Sequence, residues 1–269
     1  MENWLEIIPI NGLEISKDLN YEFKILRVYF VEKDKLFRKS KALGLEKRFE
    51  KIIKENKNFN DYNFFDNVQT LGVFPFRGNQ KELKSKNLEL IKEELDILSS
   101  SQLGYNNRKN KKIFSYFKSN NTHIDHICIE RKSNLIIRSL NRIENPISLE
   151  LNKRWYKNCK TLFFSRLLKI IGGEIKVNNS WRKSLRRAAI MIGQSQRSSD
   201  MAYSFIWNMI VLEMLLTEQG DKYSEYLPKR IEYFLGWIGY WNDENFKEKI
   251  GNLYKKRCQF VHDGNKENI

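Results

Sequence analysis

The chain has 269 residues, 41% of them hydrophobic, with 48 Lys plus Arg against 33 Asp plus Glu. That is enough for one large domain or two ordinary ones with a real core. No run of roughly eighteen apolar residues is present, which argues against a membrane span, and MENWLEIIPINGLEI lacks the basic start and apolar run of a secretory signal. A formal net charge of +15 favours polyanionic partners, because neutralising phosphates releases their condensed counterions. Three scattered cysteines, Cys128, Cys159 and Cys258, fit a reducing cytoplasm better than a disulfide framework.

Taken in chain order, residues 20–33 are rich in β-branched and aromatic residues, as a strand is. Residues 43–55 carry Leu45, Phe49, Ile52 and Ile53 at helical spacing. Residues 65–79 read as a strand broken by Pro75 and Gly78. Leu88, Ile91, Leu95 and Leu98 then form one helical stripe over 87–100. The polar span 99–121 reads as a loop, and 126–140 as two short strands around a polar turn. Pro146 marks a boundary, dividing an N-terminal mixed α/β segment, residues 1–150, from a helical bundle over 151–269.

In the bundle, 151–173 is expected as one helix closed by Gly172 and Gly173. A basic helix follows over 180–198 with Ser180 as N-cap, then an apolar helix over 198–220. The next starts at Leu227 with Pro228 in its favoured first turn. The last, 242–264, is expected to turn Phe246, Ile250, Leu253, Tyr254 and Val261 inward. The fold class is therefore α+β, strands and helices first and an all-α bundle last.

Three stretches in this second half carry chemistry. FIWNMIVLEMLLTE buries an acid, Glu213, in an apolar helix. LPKRIEYFLG opens with Arg230. LYKKRCQFVHDG contains Arg257 and, after four residues, His262. In this order they resemble the HEPN superfamily, and within it the Apea-like HEPN domains of bacterial defence proteins, over about residues 155–269. The resemblance implies a metal-independent endoribonuclease without a cofactor, a cytoplasmic toxin or anti-phage effector, with RNA as its partner. It also implies a homodimer formed through the HEPN helices, with an antitoxin or sensor as a further partner.

The chemistry suits those residue types. Cleaving RNA by its own 2′-hydroxyl needs a base for that proton, an acid for the departing 5′-oxygen and positive charge on the phosphorane-like transition state. Histidine titrates near neutral pH, and arginine stays charged and offers forked donors. By the resemblance His262 is the acid/base and Arg257 the phosphate clamp, with Glu213, Cys258 and Arg230 in support. Glu213 is expected to pair with Arg230 or Arg257. On a regular helix, residues five apart diverge by about 140°, so either the helix ends near His262 or two copies across a twofold bring the groups together.

The sequence departs from the family pattern at Cys258, where Asn, Asp or His is usual, and at Asp263, which separates His262 from Gly264. The family fold commonly continues with another helix, whereas this sequence stops at Ile269. Gly264 stands where nucleotidylated HEPN toxins have a tyrosine. The alternative reading is therefore a non-catalytic HEPN module for RNA binding or assembly.

Arg182, Lys183, Arg186 and Arg187 form one face of a basic helix, and Lys255 and Lys256 flank the motif; these are the expected RNA-backbone contacts. HIDHIC, 123–128, offers His, Asp, His and Cys, yet no second ligand cluster accompanies it, and ordinary strand positions are expected there rather than a metal site. Phosphate-binding and nucleophile-elbow glycine motifs are absent.

Overall fold

Residues Glu2–Ile15 form one long strand, β1, around which the other strands are arranged. The computed structural model describes residues 2–19, 23–32, 35, 70–79, 86–101, 126–130, 136–139, 143–161, 164–198, 200–235 and 246–263. The remaining strands are β2 (Phe23–Lys24), β3 (Tyr29–Glu32), β4 (Thr70–Gly78), β5 (His126–Glu130), β6 (Ile136–Ser139) and β7 (Ile143–Leu151). The sheet order is β2-β3-β4-β1-β5-β6, with β7 also on β1. All pairings are antiparallel except β7, which runs parallel to β1. Leu5, Ile7, Ile8 and Ile10 are all buried, so β1 is covered on both faces and lacks apolar–polar alternation.

Prolines sit in these strands where the ladder leaves room for them. The β1–β5 ladder ends at Ile7 and the β1–β7 ladder starts at Ile10, so Pro9 lies where no strand on that side needs its missing N–H. Pro75 lies beyond the end of the β3–β4 ladder at Val73. Pro146 falls in β7 between Glu144 and Leu149, where the β1–β7 register shifts opposite Gly12, which has φ of 75°. The strand expected to break at Pro75 therefore runs on to Gly78, and residue 150 lies inside β7. The expected pair of strands in 126–140 is present as the β5–β6 hairpin pairing. The expected helix at 43–55 lies outside the described residues, as does the loop expected at 99–121 beyond Ser101; its first residues, Ser99 and Ser100, instead end a helix that starts at Lys86.

Helix α1 (Lys86–Ser100) lies against this sheet: Ile91 packs by Gly72 of β4, beside Ile8 and Ile10. From Glu94 to Ser100 α1 is buried on every side, so its polar groups need partners inside the protein. The Glu94 carboxylate accepts the backbone N–H groups of Leu26, Arg27 and Val28, bracing the turn between β2 and β3. Burial pushes the Glu94 carboxyl up, and those three N–H groups oppose the shift. Ser99 and Ser100 donate to carbonyls one turn back, and Trp155 Nε1 donates to Ser101 Oγ.

The helical half comprises α2 (Lys153–Thr161), α3 (Phe164–Gly172), α4 (Asn179–Arg197), α5 (Met201–Leu216), α6 (Tyr223–Leu235) and α7 (Phe246–Asp263). The single helix expected over 151–173 is thus two. The α4 N-cap is Asn178, whose side chain accepts from Ser180 N–H, so Ser180 is inside the helix. Asp200 caps α5 in the same way. α6 starts at Tyr223, four residues before the expected Leu227, which leaves Pro228 inside it.

Trp155, Cys159, Phe164, Ile171 and Ala189 join Ile8, Phe30, Ile91 and Leu95 in one core, which runs straight across residue 150. A second cluster gathers Met209, Leu227 and Ile231 with Phe246, Ile250 and Tyr254, among α5, α6 and α7. The α+β class holds, while the apolar interior divides after α4.

α1 and α4 cross at Gly193, where an added Cβ would lie 1.8 Å from the Asp96 carbonyl oxygen. Beside that crossing Asp96 takes hydrogen bonds from Arg197 and Gln194. Because the obstacle is backbone, Gly193→Ala forces the two helices apart. Overpacking typically costs about 1–3 kcal/mol, and urea denaturation should show a loss in the upper part of that range; a loss within about 0.5 kcal/mol, the size of a neutral surface change, contradicts the close crossing.

Candidate active site

Ser195 and Ser204 donate reciprocally to each other's carbonyls, at 3.1 and 2.7 Å, and so fasten α5 to α4. The apolar length of α5 then carries Glu213 into a buried position. A carboxylate there needs a counter-charge, since burial without one is costly. Arg257 on α7 supplies it, with Nη2 3.1 Å from Glu213 Oε2. Burial pushes the Glu213 carboxyl up, and the Arg257 guanidinium opposes the shift. Glu213 Oε1 and Arg257 Nε are both buried without a hydrogen-bond partner. The pair therefore retains one free acceptor and one free donor.

Tyr254 and Cys258 complete this cluster on α7, one helical turn apart. The Tyr254 hydroxyl is pushed up to about 12, chiefly by burial and then by its hydrogen bond with Cys258. The Tyr254 ring meets Tyr223 of α6 edge-on, centroids 6.2 Å apart, fixing the inner face of α7. Sequence reasoning placed Tyr254 in the core but did not connect it to the site; its i, i+4 spacing to Cys258 was the available signal.

His262 lies elsewhere. It is exposed in the last turn of α7, which remains helical to Asp263. Arg257 and His262 are thus separated by about 140° around the helix and about 7.5 Å along it, and one copy of α7 does not aim both at one phosphate. The Tyr203 and Phe260 rings pack edge-on at 6.0 Å, placing the start of α5 beside the end of α7. Met201, Tyr203 and Val261 are 72%, 52% and 52% exposed there, an apolar surface next to His262.

Arg230 does not join Glu213. It donates to the Leu216 carbonyl and to Asp221 Oδ2, at 2.9 and 2.6 Å, closing the C-terminal end of α5. Of the two partners expected for Glu213, the structure provides Arg257. Leu253 and Val261, expected inward, are exposed, whereas Phe246, Ile250 and Tyr254 pack inward as expected. Lys255 and Lys256 are exposed beside Arg257. On α4, Lys183 and Arg187 are exposed and Arg182 is half-buried, while Arg186 is engaged by Glu93 at 2.8 Å.

In HIDHIC, His126 and Cys128 are strand positions of β5, and His123 and Asp125 lie outside the described residues. Among the described residues no three His, Cys, Asp or Glu side chains gather as a metal site. No described helix is long and apolar enough to cross a membrane. No protein-family model, curated protein or solved structure matches the chain.

The two motif residues should separate in stability measurements. Arg257→Ala leaves Glu213 buried without its partner and should cost about 1–3 kcal/mol, with part recovered by adding Glu213→Gln. His262→Ala, at an exposed position, should stay within about 0.5 kcal/mol of wild type. Urea denaturation of the four proteins decides this, and an equal loss from both single substitutions contradicts the pairing.

Glu213 also predicts a pH trend. Because its folded-state value is raised, the folded protein holds this proton where the unfolded chain has released it. Its contribution to stability therefore falls as pH rises from the ordinary 4.5 through the raised value. Glu213→Gln removes that fall, so its stability relative to wild type should improve between pH 4.5 and 7. A constant difference over that interval counts against a raised Glu213.

Proposed function

We propose that the chain is a metal-independent endoribonuclease acting as a homodimer, with Arg257 and His262 from both copies lining one cleft. The observation that carries this reading is the division of labour on α7: Arg257 is oriented by Glu213, while His262 stands exposed beside an apolar surface. Their angular separation makes a second copy part of the chemistry. A twofold is the commonest way for two like surfaces to meet, and Met201, Tyr203 and Val261 give it apolar area at the right end of α7.

In the reaction, the RNA 2′-oxygen attacks the adjacent phosphorus as one His262 takes its proton. The P–O5′ bond breaks as the partner's His262 protonates the leaving oxygen. The products are a 2′,3′-cyclic phosphate and a 5′-hydroxyl, with no water consumed. Arg257 stabilises the charge on the non-bridging oxygens through donors not used by Glu213. The role as a toxin or phage-defence effector rests on the HEPN resemblance.

The engagement of Arg257 by Glu213 also favours a second reading, a non-catalytic RNA-binding or assembly module in which the arginine is structural. Incubating wild type, Arg257→Ala and His262→Ala with total RNA and tRNA in EDTA separates the two. The nuclease reading expects wild-type cleavage leaving cyclic-phosphate ends, and a loss of about 10²-fold or more in His262→Ala. Equal products from wild type and His262→Ala, or none from either, would sink it.

A further inference from the structure

The cationic surplus of this protein is concentrated in one place. Residues 151–199 hold twelve Lys or Arg and a single acid, Glu174, so they supply eleven of the chain's net +15. This stretch is α2, α3 and α4. All three bury one face in the same core, through Trp155, Cys159, Phe164, Ile171 and Ala189. The charges are left on their outward faces, where Lys157, Arg166, Lys169, Lys176, Lys183 and Arg187 are exposed. Among the described residues none of these six forms an ion pair.

At the borders of this face the Asp18 carboxylate accepts the Lys153 backbone N–H at 3.3 Å, Glu93 holds Arg186 and Asp96 holds Arg197. Half-buried Arg182 lies against Gly173, at the junction of α3 and α4, with its Nε buried and without a hydrogen-bond partner. So many unanswered cations repel one another unless an anion of similar extent covers them.

From this distribution we infer that the outward face of α2, α3 and the first half of α4 is a docking surface for the phosphate backbone of double-stranded RNA. A single strand is bound through aromatic rings interleaved with cations. Among the described residues of this face only Trp181 has a largely exposed ring, at 51%, and half-buried Tyr156 is already covered by Lys160, 4.7 Å from its ring centroid. Cations without stacking platforms match a duplex, which presents phosphates and hides its bases. The apolar surface beside His262 lies near the other end of α4, whose 19 residues span about 28 Å. A stem docked on the face can therefore extend to the motif, and the face selects structured RNAs as substrates.

The inference rests on RNA as the partner but not on the chemistry of His262. The test uses the full-length protein and a fluorescent, fully paired RNA stem-loop longer than α4, over a salt series. It compares wild type, His262→Ala and the triple variant Lys157→Gln/Arg166→Gln/Lys169→Gln, with folding checked by circular dichroism. Removing three phosphate contacts should weaken binding at least tenfold and reduce the salt slope by about three, while His262→Ala binds as wild type does.

An unpaired RNA of equal length should bind more weakly and be less affected by the triple variant. An unchanged slope in the triple variant overturns the inference, as does equal or tighter binding of the unpaired RNA. So does a greater effect of the variant on binding to anionic phosphatidylserine vesicles than on the stem-loop, which would make the face a membrane contact. Stem-loop binding that follows these expectations without any cleavage leaves the inference standing and removes the nuclease reading. Cleavage by wild type with unchanged binding in the triple variant does the reverse.

Discussion

The crossing of α1 over α4 is the constraint on which the rest of this structure depends. Asp96 is buried at that crossing, and burial raises its carboxyl against the opposing pull of Arg197. A carboxylate so placed has to be answered locally, and Arg197 and Gln194 both come from α4. The absence of a side chain at Gly193 lets the two backbones approach closely enough for that. From there the geometry is passed on: α4 is bound to α5 by the Ser195–Ser204 exchange, and α5 holds α7 through Glu213 and Arg257. The sheet half thus sets the position of a motif more than 150 residues away in the chain.

Helices were more legible than strands in this sequence, for identifiable reasons. Apolar spacing found α4, α5 and α7 to within a few residues, because each buries one side against a core and exposes another. β1 escaped notice because it is buried on both faces, so it lacks the alternation of apolar and polar residues that marks a half-buried strand. Proline breaks a strand only where a neighbour needs its N–H. Pro9, Pro75 and Pro146 all occupy gaps in the pairing, which depend on the whole sheet and not on local sequence. The core itself runs across Pro146, joining Ile8, Phe30 and Ile91 to Trp155 and Phe164.

The site was legible in part. An acid in an apolar helix demands a counter-charge, and the motifs that carry the HEPN resemblance offered two arginines for Glu213. Choosing Arg257 over Arg230 required knowing that α6 starts at Tyr223 and brings Arg230 to Asp221 and the end of α5. Arg257 consequently serves two ends at once. It holds α7 to α5 and is the cation of the motif, so lost activity in an Arg257 variant reports stability and chemistry together. Under the proposed nuclease reading, His262, exposed and outside that pair, reports chemistry alone.

The distance between the basic face and the motif constrains how the one can serve the other. Screening at physiological salt acts over about 8 Å, while the ends of α4 lie about 28 Å apart. Cations at the start of α4, such as Arg182 and Lys183, are therefore screened from its far end. Their influence has to travel in the bound molecule itself, through a rigid anion that touches both ends of α4. A flexible single strand loses much of that coupling to its own conformational freedom, whereas a helical stem keeps it. Under the proposed nuclease reading, charge placement and helix length together favour a substrate with its own persistent structure.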